Sequence, residues 1–153
     1  MASKGLIRRS VVVESRPSAI IGVYNSILSE LKSRNFEQED IFAVHLALEE
    51  AFLNAVKHGN KMDPHKGVKI EYLVELDKVE ISMTDEGDGF NPGIVPDPRS
   101  GENIYKIYGR GLFLMRSYMS EVEYNNRGNC VRMVRYKGRP SLAEMQNRTR
   151  CSE

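Results

Sequence analysis

Apolar positions along the chain change period several times, and each change marks an element. Leu6 to Glu14 holds a β-branched run, Ile7, Val11, Val12 and Val13, and reads as a strand. Arg16-Pro17-Ser18 interrupts it. Ser18 is then expected to cap a helix whose apolar face is Ile20, Ile21, Tyr24, Ile27, Leu28 and Leu31, with Ser33-Arg34-Asn35 as its end. A second helix is predicted from Glu37 to His58. Ile41, Val44, His45, Leu48, Phe52 and Val56 recur there at three- and four-residue steps, as a buried helix face requires. Gly59-Asn60 provides its stop, with Pro64 shortly after.

The period then falls to two. Gly67–Leu76 and Lys78–Thr84 read as strands of a hairpin turning at Asp77-Lys78. From Glu86 to Arg110 large apolar residues thin out and glycine and proline dominate, the signature of a long functional loop. A short helix is expected from Gly111 to Met119. Strands follow near Glu121–Asn125 and Cys130–Lys137, joined by a turn at Asn126-Arg127-Gly128. The order predicts an α+β two-layer sandwich, with helices on one face of a mixed, mostly antiparallel sheet. Residues 1–138 form the expected domain. Residues 139–153 form a polar tail in which Leu142 and Met145 could dock a helical turn.

Composition narrows the function classes. A chain of 153 residues suits one domain, and 41% hydrophobic residues suffice for one core. The 22 Lys and Arg almost cancel the 21 Asp and Glu, leaving +1, which argues against nucleic-acid binding through bulk charge. The apolar runs, such as Gly111 to Met115, are too short to span a bilayer. Cys130 and Cys151 have no metal-binding spacing and define no disulfide framework. A cytoplasmic, reduced protein without direct nucleic-acid or membrane contact is expected.

Three segments carry candidate chemistry. Glu50, Asn54 and His58 are spaced four apart and would share a helix ridge, where carboxylate and carboxamide oxygens suit a hard cation such as Mg²⁺. Taken singly, each reads as well as part of a solvated polar face, but Phe52, Leu53, Ala55 and Val56 surround them and place them near the edge of the core. Asp85-Glu86-Gly87-Asp88-Gly89 follows a strand directly. It joins a fixed acceptor to a backbone that a flat ring can approach, although Asp and Gly also make ordinary turns. A calcium loop is the other oxygen-rich reading, and the later acidic positions it needs are missing. Gly109-Arg110-Gly111-Leu112 opens the short helix, where exposed N–H groups and Arg110 favour an anion and a simple helix cap is the plainer alternative. It lacks the Gly-Lys-Ser/Thr ending of a P-loop and the third glycine of a dinucleotide fingerprint.

Taken together and in this order, the segments resemble the GHKL ATPase superfamily, and within it the small bacterial anti-sigma factor serine kinases. Glu50, Asn54, His58 and Gly59 match the superfamily's N-box. Asp85, Gly87 and Gly89 match its adenine box, and Gly109, Gly111 and Leu112 match its last glycine box. The resemblance covers the chain from about Leu6 to Lys137 and implies the Bergerat ATP-binding fold. It implies ATP and Mg²⁺ as cofactors, with Asn54 binding the metal, Glu50 as general base and Asp85 accepting from the adenine amino group. Gly87 and Gly89 would shape the pocket wall, residues 91–108 would form a lid, and the backbone around Gly109–Gly111 would hold phosphate. Arg99, Lys106 and Arg110 are the basic candidates in or beside that lid. One departure is local: Gly128 is followed by Asn129 and Cys130, where the family often places a Gly-Thr pair.

The resemblance implies a protein serine/threonine kinase that phosphorylates a small anti-anti-sigma antagonist and sequesters a sigma factor, acting as a homodimer. The alternative is a nucleotide-dependent binding switch of the same fold without significant kinase activity. Glu50 favours the kinase, since a pure binder needs no base; the Asn129-Cys130 departure favours the switch. A histidine-kinase module fits less well, because His45 falls on the apolar stripe, where a core role is expected.

Overall fold

The computed structural model describes residues 5–88 and 110–138. Strands β1 (Ile7–Glu14), β2 (Gly67–Val74), β3 (Lys78–Thr84), β4 (Glu121–Tyr124) and β5 (Cys130–Tyr136) form one sheet. Their order is β1-β2-β3-β5-β4. Helices α1 (Ile21–Ser33), α2 (Gln38–Leu53) and α3 (Arg110–Tyr118) complete the α+β sandwich that the pattern predicts. All four described pairings are antiparallel, so the parallel part of the expected mixed sheet is not among them. The reason is connectivity: two tight hairpins, β2–β3 and β4–β5, fix antiparallel neighbours, and β5 runs back along β3.

Alternation sorts the strands into two faces. Val68, Ile70, Val74, Val79, Ile81, Met83, Val131 and Met133 point inward, and all are buried. They meet Ile27 and Leu31 of α1, Val44, Leu48 and Phe52 of α2, and Met115 of α3. Burying side chains of this size contributes about 1.5–3 kcal/mol each. The other face carries Lys69, Glu71, Glu80, Ser82 and Arg132. Arg132 Nε bonds Glu80 across β3 and β5. Helices on one side and ion pairs on the other define which face holds the core.

Helix ends follow local chemistry, with two departures from expectation. Ser18 does not cap α1. Pro17 starts a 3₁₀ turn over Pro17–Ile20 with Arg16 as its N-cap, because proline's fixed φ suits a first helical position. Ser18 Oγ instead accepts from the Arg16 guanidinium at 3.1 Å. The tight turn shifts the phase, leaving Ile21 exposed although it was expected on the apolar face. At its far end α1 closes on a Schellman motif: Asn35 is left-handed at φ 61, and Phe36 N–H donates to Leu31 O at 3.1 Å.

The second departure shapes the site. The single helix expected from Glu37 to His58 is α-helical only to Leu53, and continues as a π-helical turn over Asn54–Gly59. Asn60 N–H closes that wide turn on Ala55 O at 2.8 Å. One extra residue per turn carries Gly59 and Asn60 toward the end of β3, and Asn60 is fixed there by its side chain. His45, expected in the core, sits at its margin, bonding Tyr24 Oη at 3.0 Å and Glu49 at 3.2 Å.

Candidate functional site

Asp85 is the first residue after β3, and its backbone is held from two sides. Its N–H donates to Asn129 O at 2.9 Å, and Asn129 Nδ2 donates back to Asp85 O at 3.2 Å. The side chain curls over its own loop, accepting from Gly87 N–H at 2.8 Å. This is an Asx turn, the local bond that Asp favours. Burial holds the Asp85 carboxyl above the ordinary carboxylate range; the Gly87 N–H and the charges of Arg127 and Lys66 pull the other way and do not cancel it.

Two glycines bring the loop and the wide turn into contact. A Cβ at Gly59 would land within the Asp85 carboxylate, and one at Gly87 would land on the Gly59 carbonyl. Only glycine permits this approach of backbone to backbone and of backbone to carboxylate. The result is a cavity with Asp85 and Asn54 as polar walls and Ala51, Ala55, Met83 and Val131 as apolar ones. Gly59, Tyr124, Gly128 and Asn129 complete its lining. Apolar walls that carry a carboxylate and two carboxamides suit a flat heterocycle bearing an amino group.

At the cavity's other side α3 begins. A Cβ at Gly111 would lie 2.9 Å from Asn54 Nδ2, 3.2 Å from Asn54 Oδ1 and 3.2 Å from Glu50 Oε2. Glu50 and Asn54 therefore converge on the first turn of α3, where free N–H groups favour an anion. Arg110 opens that helix and is exposed, and Leu112 anchors it in the core. Asn54 Nδ2 is buried without a hydrogen-bond partner among the described residues. Turning the amide would present its oxygen in the same place.

Of the ridge expected of Glu50, Asn54 and His58, Glu50 and Asn54 face Gly111, and Asn54 alone lines the cavity. The wide turn breaks the four-residue step after Asn54, and His58 does not line the cavity; Gly59 does. His58 is partly buried, and burial together with the Lys57 charge lowers its pKa, favouring the neutral imidazole. Gly89, Gly109 and the expected lid at 91–108 lie outside the described residues. Among the described residues no cluster of three His, Cys, Asp or Glu could hold a metal.

Several site residues had only weak signals in the sequence. Asn129 follows a turn glycine, Gly128, at φ 80. Asn125 Oδ1 gathers the N–H groups of Gly128 at 2.8 Å, Asn129 at 3.1 Å and Cys130 at 3.2 Å. This polar knot delivers Asn129 to Asp85. Arg127, from the same turn, donates to Gly87 O at 3.4 Å. Cys130 Sγ accepts from Thr84 Oγ1 at 3.1 Å.

The histidine kinase-like ATPase domain family matches residues 13–135. Serine-protein kinase RsbW of Listeria monocytogenes is 33% identical over 125 residues, covering 76% of this chain and 80% of the relative. The protein of that name in Bacillus subtilis is 32% identical over 124 residues, covering 76% and 78%. A crystal structure of the RsbU and RsbW domains of a Mycobacterium tuberculosis protein superposes with a TM-score of 0.59 at 19% identity, a likeness of fold. It covers 88% of this chain, which spans 34% of that longer one. The chain belongs to the histidine kinase-like ATPase domain family, in the group of the RsbW serine-protein kinases.

Proposed function

We propose that this protein is an ATP-dependent serine/threonine protein kinase and anti-sigma factor, which phosphorylates a small antagonist protein and sequesters a sigma factor. The observation that carries the reading is the convergence of Glu50 and Asn54 on the start of α3, beside a cavity whose polar end is Asp85. Asp85 accepts from the adenine amino group, with Gly87 and Gly59 allowing the ring to lie close; Gly89 is proposed to extend that wall. The first turn of α3, with Arg110 and Gly111, binds phosphate together with the preceding Gly109, while Leu112 keeps the turn fixed against the core. Asn54 would hold Mg²⁺, which on binding neutralises phosphate charge. Glu50 orients the attacking hydroxyl and takes its proton, the one chemical task that positioning leaves over in phosphoryl transfer. Asn129 occupies the altered turn position as a support for Asp85, so that departure leaves the kinase reading intact.

Among the described residues no helix is long and apolar enough to cross a membrane; a sigma-factor partner would place the protein in the cytoplasm. A homodimer is supported by β1, an edge strand of eight residues with Val12 68% exposed.

Glu50→Gln separates the kinase from a nucleotide-dependent switch. Calorimetry should give an ATP affinity near wild type, while phosphoserine formation on the antagonist falls about 10²–10⁴-fold. Transfer at the wild-type rate would remove Glu50 from the base role. An absence of transfer from the wild-type protein itself, with nucleotide-controlled sigma binding retained, would establish the switch.

A further inference from the structure

Asn60 is fully buried, and its side chain engages three separate segments of the chain. Its Nδ2 donates to Ser15 Oγ at 2.6 Å, just after β1, and to Gly67 O at 2.9 Å, at the start of β2. Its Oδ1 accepts from Glu86 N–H at 2.7 Å, the residue between Asp85 and Gly87. The backbone is equally committed. Its N–H closes the wide turn on Ala55 O at 2.8 Å, and its carbonyl accepts from Asp63 N–H at 3.0 Å. A buried carboxamide with both ends bonded is rigid, and changing it removes three hydrogen bonds at once.

We infer that Asn60 is a positioning residue for nucleotide selectivity, acting through the Asp85 loop. Gly59 touches the Asp85 carboxylate and its carbonyl touches Gly87, so the adjoining Asn60 side chain sets how far the loop stands from the wide turn. Glu86 N–H is the single point in the loop where it takes hold. The Glu86 carboxylate helps by accepting from Gly67 N–H at 2.5 Å, so β2 and the loop are tied twice through one corner. Freed from Asn60, the peptide between Asp85 and Gly87 can rotate, and the carboxylate loses its fixed aim while the phosphate end of the site is untouched. The chemistry that senses this aim is the base. Adenine presents an amino donor to the carboxylate, whereas guanine presents a carbonyl oxygen that the carboxylate repels. This rests on the proposed role of Asp85 as adenine acceptor.

The test compares ATP and GTP affinities of wild type, Asn60→Ala, Asn60→Asp and Asp85→Asn by calorimetry, each well below its melting temperature. Asn60→Ala should lose about tenfold in ATP affinity, as for one charge-assisted hydrogen bond, with GTP affinity little changed. Asn60→Asp keeps an acceptor for Glu86 N–H but loses both donations, and should lose about two- to fivefold on the same grounds; it is read alone if Asn60→Ala does not fold. Either variant, folded and with wild-type ATP-over-GTP preference, overturns the assignment. In wild type the Glu86 amide should exchange slowly with solvent even without nucleotide. Exchange at the rate of an open loop overturns the clamp whatever the variants do. If Asp85→Asn itself leaves the ATP preference intact, the acceptor reading fails; if it abolishes the preference while Asn60 variants keep it, the positioning role alone fails.

Discussion

At the scale of single residues, the site depends on polar groups placed where the core would normally exclude them. Asn54 shows the cost: its Nδ2 is buried without a described partner. Removing an unsatisfied group forfeits little stability, so Asn54→Ala should fold with a melting temperature near or slightly above wild type. The same variant should lose Mg·ATP binding by calorimetry, and a normal affinity would end the metal-ligand assignment. Asp85 gives a prediction in pH. Burial raises its carboxyl pKa, so the free fold binds its proton more tightly than the unfolded chain does. Ionised Asp85 therefore costs stability at neutral pH, and this cost is relieved as pH falls through the raised pKa. ATP needs the ionised form, since the adenine amino group must donate to it. The thermal stabilisation that ATP confers should accordingly shrink on acidification, beginning above the ordinary carboxylate range. The melting temperature, recorded with and without ATP across a descending pH series, checks this. An ATP increment that persists unchanged below the ordinary carboxylate range would show that Asp85 does not accept from the base.

Elements show how far local pattern reaches. The strands, the three helices and their order were legible because period-two and period-3.6 runs here are flanked by turn residues such as Asn35, Gly59 and Gly128. Asp85, Gly87 and Gly111 stood out only in combination, since Asp and Gly also make ordinary turns and a glycine at a helix start is commonly a plain cap. The π-helical turn was not, since Asn54–Gly59 continues a helical stripe and its cause lies far away, in Ser15, Gly67 and Glu86. Asp40 was missed for the same reason. In sequence it is only the acid three residues after Glu37, half of a capping box. In the fold it is 1% exposed and meets Arg135 of β5 at 2.9 Å, while Arg135 Nη1 donates to Tyr118 O at 2.7 Å and Gly138 N–H to Asp40 Oδ2 at 3.1 Å. One buried carboxylate thus joins the start of α2, the end of α3 and the last strand. Asp40→Ala strands a buried guanidinium and should cost about 3–5 kcal/mol in chemical denaturation. A loss under about 1 kcal/mol, the range of exposed pairs, would mean that water reaches Arg135.

At the scale of the whole molecule, the open question is what covers β1. A long edge strand with exposed valines is a template for pairing, and natural proteins usually blunt or occupy such an edge. A second copy fits it by symmetry. With a two-fold axis normal to the sheet through Val11, residue pairs sum to the same register. Val11 then faces Val11, Ser10 faces Val12 and Arg8 faces Glu14 of the other copy. Directly opposed residues lie on one face, so both sets of helices stay on the same side and both charge pairs form on the other. The Glu14 carboxylate, which already holds Arg16 at 2.7 Å, gains a second cation in the dimer. Arg8→Glu replaces two attractive pairs by two repulsive ones, and should weaken dimerisation about tenfold or more in sedimentation equilibrium. Adding Glu14→Arg to the same chain reverses both partners, and should restore the dimer. Because Arg8 pairs with Leu73, at the end of β1 remote from Gly67 and the Asp85 loop, ATP affinity should be unchanged in the monomeric Arg8→Glu variant. A wild-type protein that stays monomeric, or a dimer indifferent to both charge changes, would place the edge strand outside any self-association.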